Sequence, residues 1–368
     1  MRAPARAGII LTMRHRLAAR APSAVPARPV PGGGAAPFGL QRAIGNRATA
    51  QVLQRFQVEG PWSKNAPVHE VLTLMAIRTA RERIAKDRLG PLLKAVNAGA
   101  LPDWGSATAH NIAPEKLDPS LQQYVRGVVW ADDPKSWLFD EAAGTGNYSS
   151  GLKWYDEFDP SEKDDPAALI ARSHYGDLQF LHAMASADAE HPLATRAKVL
   201  EWARFLVRVA KGEIAGSAKL RDVPITARLF ASYADRTINE LWNYGSASET
   251  EIRQRAAGTL FHLIQDSYAG GHVGRDRAFK ITQFHAYEGQ DHAKHDHRDQ
   301  WAEGENLAER VLRTPGASPA IQRCAAVLVM LDQGAATDDI VAYLADEVFA
   351  LARGARPAGP GAEFAHDH

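Results

Sequence analysis

The chain has 368 residues, of which 45% are hydrophobic, so it is long enough for one large globular domain or two small ones. Its one cysteine, Cys324, excludes intrachain disulfides and thiolate metal sites, so any metal would be held by histidine and carboxylate groups. No apolar run approaches the ~20 residues of a membrane-spanning helix, and residues 8–13 are too short for a signal-peptide core, so we expect no conventional export signal.

Charge is unevenly distributed along a chain whose formal net charge is zero. Residues 1–58 contain nine arginines and no Asp, Glu or Lys, which leaves 34 basic and 43 acidic residues in the remainder. Duplex nucleic acid is held by Lys and Arg contacts to phosphates, so this acidic body disfavours a duplex partner.

The N-terminal segment, residues 1–58, is predicted to lie outside the folded domain. Residues 1–37 are rich in Ala, Pro, Arg and Gly and are predicted to be disordered, because they offer little apolar surface to bury. Residues 38–56 can form a short amphipathic helix. The runs LQRAIGNR at 40–47 and VLQR at 52–55 resemble the N-terminal tag of proteins associated with bacterial extracellular contractile injection systems. The alternative is a basic linker helix.

Helical periodicity dominates the rest of the chain, and strand-like alternation is scarce. Apolar residues recur at three- and four-residue spacing in five segments: 68–87, 195–211, 224–244, 249–268 and 340–352. We therefore predict an all-α fold, a single helical domain over residues 59–356 with a long loop at 130–165. A flexible tail over residues 357–368 is expected to follow it.

The segment with the clearest chemical signature is the end of the helix predicted at 249–268. His262 and Asp266 are four residues apart, so they project from one face, a spacing that suits two ligands of one metal. Gly270 and Gly271 stop the helix, and His272 then lies on a tight turn that can fold back towards the same pocket. An isolated pair of this kind also occurs on ordinary polar helix faces, so the interpretation depends on further His and Asp residues.

These residues form the pattern His-x-x-x-Asp-x-x-x-x-x-His, which resembles the core of the zinc-dependent phospholipase C and fungal single-strand nuclease family. Two further elements match that family: Trp-Ala-Asp at 130–132 and Ser-His-Tyr at 173–175. The resemblance implies an all-helical fold built around a multinuclear zinc site with two or three Zn²⁺ ions. It also implies that Asp132 (with Asp133 as the fallback), His174, His262 and Asp266 bind the first zinc.

The resemblance implies a second zinc held by His272 and by a further His-x-x-x-Asp pair. His295 with Asp299 fits the interval of the nucleases, and His292 with Asp296 fits the same pattern. A third zinc would be shared by Asp266 and His69, with Trp62 in the place of the family's N-terminal Trp. Because Trp62 is internal, either proteolysis frees it, another group replaces it, or that zinc is absent or weakly bound.

The metal ligands implied are thus His69, Asp132, His174, His262, Asp266, His272, His295 and Asp299. Asp132 and Asp266 are the predicted catalytic residues, with Asp132 either a ligand or the group that orients the attacking water. Zinc prefers imidazole and carboxylate ligands and leaves a position open for water in catalytic sites. Asp177 and His182 are expected to be outer hydrogen-bonding partners or surface residues instead of ligands.

The resulting expectation is a zinc-dependent phosphoric diester hydrolase. Phospholipase C-type cleavage of phospholipid head groups comes first, with contact to a membrane surface. Cleavage of single-stranded nucleic acid or nucleotides is the alternative within the same family, and a non-catalytic injection-system component is the alternative outside it. A bacterial cytoplasmic protein delivered outside would use residues 38–56 to engage the injection-system tube or a loading partner.

Overall fold

The structure is a computed structural model that describes residues 68–104, 117–132, 172–174, 176–242, 247–291, 294 and 306–366. The N-terminal segment and most of the predicted loop at 130–165 lie outside the described residues. All described residues belong to one compact unit, residues 50–368.

The described part is mostly helical, with a small sheet near its C-terminal end. Its α-helices are α1 (Val68–Glu82), α2 (Pro91–Lys94), α3 (Pro119–Val128), α4 (Pro192–Ala210), α5 (Pro224–Leu229), α6 (Ile238–Trp242), α7 (Glu249–Asp266), α8 (Leu307–Arg313), α9 (Ala317–Asp332) and α10 (Thr337–Tyr343). Its strands are β1 (Val273–Arg275), β2 (Ile281–His285) and β3 (Leu351–Gly359). None of the described helices combines the length and apolar character that crossing a bilayer requires.

Helix α7 is the central element of the core. The side chain of Ser248 accepts a hydrogen bond from the Glu251 amide while Glu251 bonds back to Ser248, a capping box that fixes the start of the helix. From Gln254 to Asp266 every residue is buried, because α7 is surrounded by α1, α3, α4 and α9. A helix that is buried on all sides can carry polar side chains inward only where they find partners.

Helices α3 and α7 cross at very short distance, and a glycine on each helix permits it. A Cβ built on Gly258 would lie 2.1 Å from the backbone oxygen of Tyr124, and one on Gly127 would lie 2.1 Å from that of Arg255. Neither contact is compatible with a side chain. The crossing places the end of α3, and the Asp132 that follows it, beside the polar end of α7.

The all-α prediction is wrong for the C-terminal part, where a three-stranded sheet lies beside the helices. Strand β1 pairs antiparallel with β2, and β3 pairs parallel with β2, in the order β1-β2-β3. The helix predicted at 340–352 ends at Val348, after a π-helical turn, and β3 begins at Leu351. Irregular registers in both pairings explain why these strands carry no regular two-residue alternation.

The predicted flexible tail is described over residues 357–366, and this part packs onto the fold. Strand β3 continues to Gly359, and the side chain of Phe364 is 3% exposed. The ring of Phe364 lies 6.0 Å from that of His285 on β2. Burial of this aromatic side chain against β2 offsets the entropy of ordering the segment.

The helix predicted at 224–244 is also interrupted. Helix α5 ends at Leu229, a 3₁₀ turn at Ala231–Tyr233 follows, and α6 begins at Ile238. The other three predicted helices correspond to α1, α4 and α7, with ends that shift by up to five residues.

Candidate metal centre

Six parts of the fold, α7 among them, bring histidines and carboxylates together at the buried end of α7. Helix α1 contributes His69, the turn after α3 contributes Asp132, and α7 contributes His262 and Asp266. The remaining groups are His174, His182 at the end of the 3₁₀ turn Gln179–His182, and His272 in the turn before β1. The seven residues His69, Asp132, His174, His182, His262, Asp266 and His272 are all at most 7% exposed and are called the His/Asp cluster here.

All six predicted ligands in the described residues therefore lie in one buried cluster. The predicted ligands His295 and Asp299, their alternatives His292 and Asp296, and the fallback Asp133 lie outside the described residues, as does Trp62.

Asp266 is the centre of the cluster. Its Oδ2 atom lies 2.9 Å from Nε2 of His262, 3.0 Å from Nδ1 of His182 and 3.3 Å from Nδ1 of His272. Its Oδ1 atom lies 3.3 Å from Nε2 of His69. One carboxylate thus contacts four imidazoles with both oxygens, as expected of a group that can bridge two cations.

Asp132 faces the same imidazoles from a slightly greater distance. Its oxygens lie 3.6 Å from Nδ1 of His182, 3.8 Å from Nε2 of His69 and 4.0 Å from Nε2 of His174. Its side chain is 9% exposed, whereas that of Asp266 is 1% exposed. Asp132 is therefore the carboxylate of the cluster closer to solvent.

Backbone and side-chain partners fix the proton on one nitrogen of His262. Its Nδ1 atom donates a hydrogen bond to the carbonyl oxygen of Val128 at 2.7 Å, because a carbonyl can only accept. Its Nε2 atom then faces Oδ2 of Asp266 at 2.9 Å. Two lone pairs at that distance repel, so Nε2 must carry either a second proton or a metal ion.

His69 is oriented in the same way by a glutamine. Gln265 donates from Nε2 to Oγ1 of Thr73 at 2.9 Å, and this bond turns its Oε1 atom towards His69. Nδ1 of His69 donates to that oxygen at 2.7 Å, which leaves Nε2 for the two carboxylates. Metal-binding histidines almost always donate their other N–H in this way. Nothing in the sequence separates Gln265 from an ordinary core glutamine.

Replacing Gln265 by Leu should weaken metal binding at the cluster, with zinc as the test ion, by roughly 10- to 100-fold while the helices stay folded, because His69 loses the acceptor that fixes its tautomer. Chelator-competition titration of zinc would measure the change. Gln283→Leu is the matched control, since the hydrogen bonds of that partly buried glutamine on β2 are with Pro357 and Arg356. Equal zinc affinity in Gln265→Leu and wild type would contradict the assigned role of His69.

The carbonyl of His182 orients His272. Nδ1 of His272 donates to it at 2.9 Å. The 3₁₀ turn Gln179–His182 therefore holds the turn before β1 in place as well as contributing its own imidazole.

Of the two roles expected for these residues, His182 is a buried hydrogen-bonding partner of Asp266, whereas Asp177 is a surface residue. His182 is 0% exposed and its Nδ1 atom lies 2.9 Å from Nε2 of His262. Asp177 is 63% exposed and pairs with Arg172 at 2.7 Å. The sequence does contain a signal that His182 is buried, because its neighbours Phe180, Leu181 and Ala183 are apolar. All three are buried in the structure. A polar residue in such a run needs a buried partner.

The charge state of the metal-free cluster follows from burial and from the carboxylates. Burial alone would lower the pKa of His262, but the charges of Asp266 and Asp132 outweigh it and raise that pKa to about 9. Burial lowers the pKa of His182 to about 4 against the opposing hydrogen bond to Asp266. Burial also acts to raise the pKa of Asp266, but the charges of His262 and His272 hold it well below its usual range. Without metal, His262 therefore carries the proton that balances Asp266.

A buried imidazole outside the His/Asp cluster, that of His285 on β2, makes the fold sensitive to acid. Burial lowers the pKa of His285 to about 4, although its hydrogen bond to the carbonyl of Gly271 opposes the shift. A histidine near 6.5 when unfolded and near 4 when folded gives stability that is complete above pH 6.5. That stability is lost as the pH falls towards 4.

The wild-type protein should take up as much as one proton at His285 on unfolding between pH 6.5 and 4.5. We expect His285→Gln to remove this uptake, so that the unfolding free energy falls less steeply with pH, by up to about 1.4 kcal/mol per pH unit. Urea unfolding of the chelator-treated protein at several pH values measures this slope. Gln283→Leu, on the same strand and without a titratable group, is the control and should keep the wild-type slope. An unchanged slope in His285→Gln would show that His285 is not the titrating group.

Three groups of three residues in the cluster could each hold a metal ion. Within each group, the three potential ligand atoms lie within 4.8 Å of one another. The groups are His69–Asp132–His262, Asp132–His174–His182 and His182–His262–Asp266. Burying two carboxylates among imidazoles costs free energy unless positive charge compensates them. Imidazole and carboxylate donors are ligands of zinc and of other divalent transition metals, so the residues fit zinc as one such metal.

Comparisons of the chain with protein-family models, with curated proteins and with solved structures found no match.

Proposed function

We propose that this protein is a zinc-dependent phosphodiester hydrolase that cleaves phospholipid head groups in the manner of a phospholipase C. The observation that carries the proposal is the environment of Asp266. This fully buried carboxylate is surrounded by four imidazoles, and one of them, His262, needs a cation or a second proton on the nitrogen facing it. Such a site suits a metal, and its ligands match the motif by which the sequence resembles the zinc-dependent phospholipase C and nuclease family.

The roles of the residues follow from their burial and orientation. His69 and His262 would hold zinc through Nε2, since their Nδ1 atoms donate to Gln265 and to the Val128 carbonyl. Asp266, with contacts on both oxygens, would bridge two ions. When bound, zinc supplies a Lewis acid for the phosphoryl group and lowers the pKa of water towards ~7.

Asp132 is the group that would accept a proton from the attacking water. It is the more exposed of the two carboxylates, and its distances to His69 and His174, 3.8 and 4.0 Å, are longer than the contacts of Asp266. Asp266 is held by closer contacts and is suited to a fixed ligand role. This division of roles follows the rule that a general base must reach the water while a structural ligand need not.

The experiment is zinc quantification by mass spectrometry on the purified protein, with hydrolysis assays on a phosphatidylcholine analogue and on single-stranded DNA. Two or three zinc ions and cleavage of the phosphatidylcholine analogue are the expected result. Duplex DNA serves as the negative control, given the acidic body of the chain. Protein without zinc and without hydrolysis of either substrate would refute the proposal.

The nuclease alternative is favoured by one sequence observation, the interval from His272 to His295. Cleavage of single-stranded DNA with an inert phosphatidylcholine analogue would select it. Bound zinc without cleavage of either substrate would select the non-catalytic alternative, in which the metal only stabilises the fold.

Delivery by a contractile injection system is a separate part of the proposal and depends on the motif in residues 38–56. A chain lacking residues 1–58 should keep zinc and hydrolysis, because every described residue of the cluster lies downstream. It should fail to co-purify with injection-system particles. Loss of hydrolysis in this truncated chain would show that the segment belongs to the catalytic domain.

A further inference from the structure

His182 occupies a position that the sequence motifs do not assign. It ends the 3₁₀ turn Gln179–His182 and is followed by Ala183, whose φ of 54° is unfavourable for a residue with a side chain. Backbone of this kind persists only where surrounding contacts enforce it. Here the His182 carbonyl accepts from His272 and the His182 ring packs against those of His174, His262 and His272.

The imidazole of His182 lies between the two halves of the predicted first zinc site. With Asp132 and His174 it forms one group of potential ligands, and with His262 and Asp266 it forms another. Its Nδ1 atom lies 3.6 Å from Oδ1 of Asp132 and 3.0 Å from Oδ2 of Asp266. These two groups share His182. Together they also contain the four residues that the sequence motifs assign to the first zinc, namely Asp132, His174, His262 and Asp266.

The hydrogen bonds of His182 are incomplete whichever nitrogen carries its proton. Its Nε2 atom is buried and has no hydrogen-bond partner in the part of the chain that the structure describes. A proton on Nδ1 leaves Nε2 as a buried acceptor without a donor. A proton on Nε2 leaves a buried donor unpaired and turns the Nδ1 lone pair towards Asp266. A buried polar atom left in this way is destabilising, and a cation on Nε2 would relieve it while the Nδ1–H still donates to Asp266.

We infer that His182 is a further zinc ligand, which connects the Asp132–His174 side of the centre to the His262–Asp266 side. The inference rests on the proposed function, since it needs zinc to bind at the cluster. It adds one imidazole to the ligands that the sequence motifs imply.

The alternative role for His182 is to orient Asp266 through the hydrogen bond from Nδ1. Two variants separate the roles. In His182→Asn the side-chain amide can replace the Nδ1–H donor but not the imidazole ligand, and in His182→Ala both are lost. A ligand role predicts that both variants bind zinc on the order of 100-fold more weakly, at or beyond the upper limit for losing an outer partner of a ligand.

The measurements are zinc stoichiometry, zinc affinity by chelator competition, and the visible absorption spectrum of the cobalt-substituted protein, which reports the ligands directly. His285→Asn is the control, because it removes a buried imidazole that belongs to none of the three groups. It should keep the wild-type cobalt spectrum. Circular dichroism checks that each variant is folded, and His182→Asn carries the test if His182→Ala does not fold.

Weaker zinc binding and an altered cobalt spectrum in His182→Asn support the ligand role. Wild-type affinity and spectrum in that variant overturn it and assign His182 to positioning Asp266. A wild-type protein that binds no zinc overturns both this inference and the proposed function, so the two failures are distinguishable.

Discussion

Asp266→Asn should abolish hydrolysis and remove most of the bound zinc. The substitution keeps the size of the side chain but removes the negative charge that four imidazoles face at 2.9–3.3 Å. Losing an outer partner of a metal ligand costs roughly 10- to 100-fold in affinity or activity, and loss of a shared ligand should exceed that range. Zinc content by mass spectrometry and turnover of the phosphatidylcholine analogue would be measured on the same preparation.

The matched control is Asp177→Asn, which makes the same chemical change at an exposed carboxylate paired with Arg172. It should retain full zinc content and activity, because exposed ion pairs contribute little to stability. Melting curves of both variants report whether the fold survives. Full activity of Asp266→Asn would exclude a metal mechanism centred on this carboxylate, even if some zinc remained bound elsewhere.

Gly258→Ala should destabilise the protein by about 3 kcal/mol or more, at the upper end of the range for overpacking a core. The new methyl group would lie 2.1 Å from the backbone oxygen of Tyr124, so α3 and α7 would have to separate. That movement would also draw the Val128 carbonyl away from His262 and weaken zinc binding. Urea unfolding and zinc titration of the same variant would measure both effects.

Gly99→Ala is the control for Gly258→Ala, since its added Cβ meets only the Asn97 side chain at an ordinary 3.5 Å. It should change stability by about 0.5 kcal/mol or less. If Gly258→Ala were equally mild, the two helices would not be in direct backbone contact. The close crossing could then not be what positions Asp132.

The parts of the fold and of the cluster that could be predicted are those whose residues lie close together in the sequence. The capping box at Ser248 and the spacing of His262, Asp266 and His272 are local, and helix geometry alone places the first two on one face. The six predicted ligands in the described residues do lie together, although His69 and His272 are contributed by elements about 200 residues apart in sequence. Their convergence was expected from the family resemblance and not from the spacing of these residues.

The residues that sequence reasoning missed depend on tertiary contacts. Gln265 acts on His69 only because α1 packs against α7, and no motif links positions 69 and 265. His182 faces the cluster because a 3₁₀ turn with a left-handed residue after it turns the chain inward. The sheet was missed because β2 pairs with a distant strand in an irregular register. Each of these is a long-range pairing, which local periodicity does not encode.

The parallel pairing of β2 with β3 also sets an order of events during synthesis. Every described member of the His/Asp cluster precedes Val273, whereas β3 begins at Leu351. At 5–20 residues per second, the ribosome needs about 4–16 s to add the roughly 80 residues between them. During that interval every described member of the His/Asp cluster has been synthesised while β2 still lacks its parallel neighbour. If the cluster binds zinc as proposed, zinc supply to the nascent chain should therefore influence the yield of folded protein.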